Sequence, residues 1–94
     1  MPRALWNGTV IAESDRFEEV EGNVYFPESS LVKEHFEASA KTSHCPWKGD
    51  ANYLTVVVDG ERNQDAAWVY RAPKPAAAEI KDHVAFWKGV VVER

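Results

Sequence analysis

Ninety-four residues give room for one domain, residues 1–94, near the small end of what folds on a single core, so that core must be rich. The composition supplies it, with 45% hydrophobic residues that include four Trp, four Phe and three Tyr. Lys and Arg number 11 against 15 Asp and Glu, a formal charge of −4 with no long basic stripe, which argues against nucleic acid as a partner. A single cysteine, Cys45, excludes an internal disulfide and every paired-cysteine zinc pattern. No apolar run approaches the roughly twenty residues that span a bilayer. Met1-Pro2-Arg3-Ala4-Leu5-Trp6 is too short and too soon interrupted for a signal peptide. The expectation is a cytoplasmic domain with no membrane role.

Taken in chain order, Trp6-Asn7-Gly8-Thr9 predicts a hairpin, because Asn-Gly accepts the positive φ angles of a two-residue turn. Residues 17–20 and 24–26 flank Glu21-Gly22-Asn23 and predict a second hairpin, so that the first 27 residues read as an antiparallel meander. Pro27 and the four-residue spacings of Leu31 with His35 and Val32 with Phe36 predict a short helix or helical turn. Residues 38–43, small and polar, read as a connector or edge strand. Residues 51–58 form the clearest strand, with a nearly continuous apolar second half that suits a central strand buried on both faces. It closes on Asp59-Gly60, and residues 66–70 give the next strand. Pro73 and Pro75 exclude a sheet interior for the connector that follows. Residues 76–81 have the best helix propensity of the chain, and 84–87 with 90–93 predict paired closing strands around Lys88-Gly89. The fold class is mainly β: a small antiparallel sheet domain of about eight short strands with one or two short helices.

The stretch Ser43-His44-Cys45-Pro46-Trp47-Lys48-Gly49 places a thiol, an indole and a cation side by side. Pro46 restricts Cys45 to extended backbone and Gly49 permits a reversal, so the block predicts a rigid turn that displays side chains. Trp-Lys-Gly recurs at 87–89, but the flanks differ, which fits two similar turns rather than an internal repeat.

Trp6-Asn7-Gly8, Val24-Tyr25-Phe26-Pro27, the run from Cys45 to Tyr53, Ala67-Trp68-x-Tyr70 and Val84-Ala85-Phe86 resemble, in order and along nearly the whole chain, the landmarks of the domain of unknown function 427 family. The resemblance implies a small, mostly bacterial, stand-alone β domain. Its fold would be β-tent-like, the arrangement shared by B-type methionine sulfoxide reductases and the thalidomide-binding domain of cereblon. Many members of that wider fold carry a four-cysteine zinc site, which a chain with one cysteine cannot reproduce. The family is sometimes labelled nucleotidyltransferase-like, yet this sequence has neither an Asp-x-Asp metal pair beside a Gly-Ser turn nor a phosphate loop.

Cys45 is the candidate nucleophile or redox centre, with His44 and Lys48 as local sources of positive charge. Neighbours on a strand point to opposite faces, so His44 is badly placed as its base, and packing beneath a turn is the plainer role for Cys45. Lys48 reads equally as a solvated turn residue or as an anchor for a carboxylate or phosphate. Trp68 and Tyr70, two apart on a strand, share a face, and with Trp47 and Tyr53 they suit a ligand pocket lined by aromatics with polar tips. Core packing is the plainer role for any one of them. His35, His44 and His83 match no ligand spacing, so no metal and no cofactor are expected. Glu18, Glu19 and Glu21 read as a solvated hairpin edge.

The reading favoured is a binding module for a small molecule or short peptide segment, held by Trp47, Lys48, Tyr53, Trp68 and Tyr70. A small enzyme using Cys45 and a homo-oligomer or partner-interaction subunit are the alternatives. The pocket reading requires Trp47 or Lys48 within reach of Trp68 or Tyr70 across an open concavity. It also expects Lys48→Ala to leave stability nearly unchanged, as for an exposed turn residue.

Overall fold

Each Gly-containing two-residue turn of the sequence closes a strand, and the computed structural model, which describes residues 1–94, arranges nine strands into two antiparallel sheets. In the smaller sheet, β1 (Arg3–Trp6) lies between β2 (Thr9–Glu13) and β9 (Val91–Glu93). Asn7 and Gly8, at φ 52° and 76°, make the β1–β2 turn. The larger sheet runs β3 (Glu18–Val20), β4 (Asn23–Pro27), β8 (His83–Phe86), β7 (Glu61–Val69), β6 (Gly49–Val58), β5 (Phe36–Cys45). The mainly β antiparallel architecture expected from the sequence is the one observed.

Alternation along the inner strands divides the larger sheet into two faces. Val24, Phe26, Val56, Val58, Val69, Val84 and Phe86 point to one side, where Ala4, Ile11 and Ala12 of the smaller sheet close over them. Tyr25, Ala51, Tyr70 and Ala85 point to the other, where Ala77 and Ile80 cover part of the surface. β6 is an inner strand between β5 and β7, with Thr55, Val56 and Val58 buried, while residues 38–43 belong to the edge strand β5.

Three expectations are corrected and one is narrowed. The two N-terminal hairpins form no meander, because β2 and β3 belong to different sheets. The short helix or helical turn expected after Pro27 is met only as turns: Leu31 bridges Ala12, Val32 donates its N–H to the Ile11 carbonyl at 2.9 Å, and Phe36 already begins β5. Those tertiary bonds override a weak four-residue pattern, leaving 3-10 turns at Glu28–Ser30 and Lys33–His35. Residues 76–81 form no α-helix either. Pro75–Ile80 is a 3-10 segment broken at Ala77 (φ −125°), whose three-residue period buries Ala77 and Ile80 together. The bond from Asp82 N–H to the Tyr70 carbonyl, 3.0 Å, then returns the chain to the sheet. Finally, β8 and β9 do not pair. The Lys88-Gly89 turn carries the chain from the larger sheet to the smaller, where β9 joins β1.

Candidate functional site

The uncovered part of the second face holds a concavity of about 220 Å³ lined by Lys48, Tyr53, Trp68, Tyr70 and Trp87. Tyr53 comes from β6, Trp68 from β7, Tyr70 from its continuation and Trp87 from the end of β8. The polar tips of three of the rings are tied down. Trp68 Nε1 donates to Tyr25 Oη at 3.1 Å, and those two rings meet edge to face at 6.2 Å. Tyr53 Oη shares a hydrogen bond with Ser43 Oγ at 3.0 Å. Trp87 Nε1 donates at 2.5 Å to the carbonyl of Asp65, a residue at φ 58° where the β6–β7 register is irregular. That local kink presents the carbonyl to the indole. Trp87 also packs edge to face on Trp68 at 6.1 Å, and tilted on Tyr53 at 6.3 Å.

Lys48 stands at one end of the rings. The turn that carries it is clamped from outside: Lys74 donates its N–H to the Lys48 carbonyl at 2.8 Å, and Lys74 Nζ donates to the Pro46 carbonyl at 2.6 Å. Gly49 sits at φ 110°, a backbone conformation that residues with a side chain rarely adopt, so the turn favours glycine there. Lys48 is therefore not an exposed turn residue; it is only 7% exposed. Its Nζ donates to Glu21 Oε1 at 2.5 Å and lies 5.5 Å from the ring centres of both Trp47 and Tyr70. Burial works to lower its pKa, but the hydrogen bond to Glu21 and the nearby Tyr25 and Tyr70 together hold it above the ordinary lysine value. At neutral pH it is an ammonium, suited to anchoring an anion rather than to attack as a free amine.

The structure thus brings together four of the five residues proposed from the sequence, Lys48, Tyr53, Trp68 and Tyr70. Trp47 is 40% exposed and stands on Lys48 without lining the concavity. Two participants were missed. Trp87 continues the alternation of β8 two residues after Ala85, a period-2 signal that becomes readable once β8 is registered on β7. Glu21 occupies the first central position of the β3–β4 turn at φ 54°, where Asn, Asp or Gly is usual. A glutamate at that position was the available clue. The acidic cluster lies on the edge strand and its turn with Glu19 and Glu21 exposed, and two of its members are also paired: Glu21 meets Lys48, and Glu19 meets Arg94 at 3.1 Å.

Cys45 is half-buried opposite Gly49 and packs against the cluster around Tyr70. His44 is exposed, and its Nδ1 meets Asp50 Oδ1 at 2.7 Å. His35 and His83 engage the carbonyls of Val57 and Lys81, each at 2.8 Å, so the three histidines lie at separate places. No helix is long and apolar enough to cross a membrane.

The model of the family described as Domain of unknown function (DUF427) matches residues 2–94. The chain belongs to this family. No curated protein matches it. In this chain the segment from Cys45 to Tyr53 supplies both the clamped turn and one wall of the concavity.

Proposed function

We propose that the protein is a binding module that captures a small molecule, or one side chain of a short peptide segment, in the concavity between Lys48 and the four rings. The observation that carries this reading is pre-organisation. Three of the ring tips are already bonded to other protein groups, and the cation is buried, so a ligand would meet walls with little side-chain freedom left to lose. At about 220 Å³ the space is smaller than the roughly 300–1,000 Å³ of drug-sized pockets, which favours a compact ligand. A second concavity, between Leu31, Phe36 and Leu54, is larger at about 320 Å³. Both carboxylates of its rim, Glu28 and Glu37, are paired with Arg71 and Arg62, Lys33 is its one cation without an ion pair, and no Trp or Tyr lines it, so it is the weaker candidate. A reduced compartment such as the bacterial cytoplasm suits the lone, half-buried thiol of Cys45.

The test is a fragment screen followed by the indole N–H resonances of Trp68 and Trp87. Binding fragments should shift both and should lose affinity when Trp68 is replaced by Ala. Fragments that shift only residues around Phe36 and Leu54, or none that shifts either indole, would overturn the assignment.

A further inference from the structure

The donors of the pocket are unevenly spent, and this specifies the ligand. Trp68, Trp87 and Tyr53 have partners for their polar tips, so they offer a ligand chiefly ring faces and edges. Two donors remain. Lys48 Nζ has three N–H bonds and gives one to Glu21. Tyr70, only 4% exposed, has no hydrogen-bond partner for its hydroxyl in the protein, although no fully buried side-chain oxygen or nitrogen in the molecule lacks one. Its oxygen therefore reaches open space, and the space that Tyr70 lines is this concavity. Burial holds the Tyr70 phenol above its ordinary pKa, against the pull of Lys48, so it is a neutral donor at physiological pH.

Charge points the same way. Lys48 is the one charged lining residue, and Lys41 and Lys88 place their ammonium groups 5.3 Å and 5.1 Å from the ring centres of Tyr53 and Trp87. Three cations thus stand on rings at or around one small pocket of a chain whose net charge is −4. Glu21 balances one of them, from a hairpin tip where its side chain is 51% exposed. A cationic ligand, the usual guest of an aromatic cage, would meet Lys48 head on.

We propose that the ligand is a small planar anion, a ring bearing a carboxylate, with the ring against Trp68, Trp87 and Tyr53 and the carboxylate on Lys48 Nζ and Tyr70 Oη. This rests on the pocket reading above and adds to it the sign of the charge and the end at which it sits. The site takes the anion by charge-assisted hydrogen bonds from two donors otherwise left with water.

The experiment titrates the wild-type protein with benzoate, benzamide and benzylamine, which share a ring and differ in charge, and reads the Trp68 and Trp87 indole N–H resonances. Benzoate should bind about tenfold or more tightly than benzamide, the scale of a hydrogen bond to a charged group, and benzylamine should bind weakest. Added salt should weaken benzoate and leave benzamide unchanged. Lys48→Met should abolish the preference for benzoate, and Lys48→Arg should keep most of it. The wild-type comparison requires no variant, so a poorly folded Lys48→Met protein leaves the test intact. Lys41→Gln and Lys88→Gln, both at exposed positions, should each weaken benzoate about two- to threefold. Equal binding of benzoate and benzamide in this pocket would overturn the anion proposal while the pocket reading stands. If none of the three shifts the indoles while other fragments do, the anion proposal falls alone. If no fragment shifts them, both readings fall.

Discussion

Tyr25 and Phe26 are neighbours on β4, yet Phe26 packs edge to face on Phe86 in a dry layer and Tyr25 accepts a hydrogen bond from an indole beside an open pocket. The same division runs through β7, where Val69 faces the smaller sheet and Trp68 the concavity, and through β8, with Phe86 on one side and Ala85 on the other. The buried residues of the covered face are aliphatic or Phe, which require only exclusion of water, with Trp6 partly buried at its margin. The other face is made of Trp and Tyr with alanine between them, and each Trp or Tyr brings a polar group that must find a partner. A second β-sheet closes the first face, whereas the second is closed only where the Pro75–Ile80 segment lays Ala77 and Ile80 on it. One sheet therefore carries a stabilising side and a side kept open for contact, separated by a single residue of register.

Substitution on each face should separate the two roles. Phe26→Ala removes a fully buried ring from the closed layer and is expected to cost about 3–5 kcal/mol in chemical denaturation, the largest effect of the set. In protein that remains folded, the Trp68 and Trp87 indole resonances should stay where they are. A variant that shifted them strongly would show that the faces are coupled through the sheet.

Trp68→Ala is expected to cost less, about 2–3 kcal/mol, because Trp68 is only partly buried, and to abolish fragment binding as well. Trp68→Phe separates wall from tether: it keeps a ring but leaves the buried Tyr25 hydroxyl without its donor, for about 1 kcal/mol. Should Trp68→Phe bind fragments as tightly as the wild type, the Tyr25 bond serves stability alone.

Lys48→Ala revises the expectation drawn from the sequence. A buried stem between two rings, with its ammonium on Glu21, predicts a loss of about 1–2 kcal/mol together with the loss of anion binding. Unchanged thermal stability would return Lys48 to the status of a solvated turn residue.

The strands were legible because residue type and turn chemistry are local. Residues 51–58 and 66–70 are rich in β-branched and aromatic residues, and Asn7-Gly8, Gly22, Asp59-Gly60 and Lys88-Gly89 all lie at positive φ where turns were expected. What lay beyond reach was decided by partners distant in sequence. The switch of sheet after β2, the diversion of Leu31 to Ala12 and the use of Lys88-Gly89 as a passage between sheets depend on which layer needs covering. The site divides in the same way. Trp68 and Tyr70 share a face by period alone, and Tyr53 joins them by pairing of β6 with β7. Burial of Lys48 required a glutamate from another hairpin and a backbone clamp from Lys74, and no spacing within residues 45–49 announces either.

The smallest effect expected concerns the one charged pair that joins the β3–β4 turn to the pocket. The hydrogen bond from Lys48, aided weakly by Trp47, holds the Glu21 carboxyl below its ordinary 4.5 despite some desolvation. A carboxyl whose folded pKa is depressed stabilises the fold above its unfolded value and loses that contribution as pH falls through the lower, folded value. Lys48 is the mirror case. Burial opposes its raised pKa, Glu21 sustains it, and its contribution is complete below 10.5 and lost as pH rises through the higher folded value. The pair should therefore support a plateau across the neutral range and weaken at both ends. Glu21 is half exposed, so solvent and salt screen the interaction and its share of either limb should be small. Glu21→Gln keeps the hydrogen-bonding shape and removes the titration. Its melting temperature should fall less steeply than that of the wild type as pH drops below 4.5, with the difference shrinking in high salt. Phe26→Ala should leave that slope unaltered, since the closed face holds no charge to titrate. Identical acid limbs for Glu21→Gln and wild type would mean that the rings and the Lys74 clamp alone hold Lys48 in place.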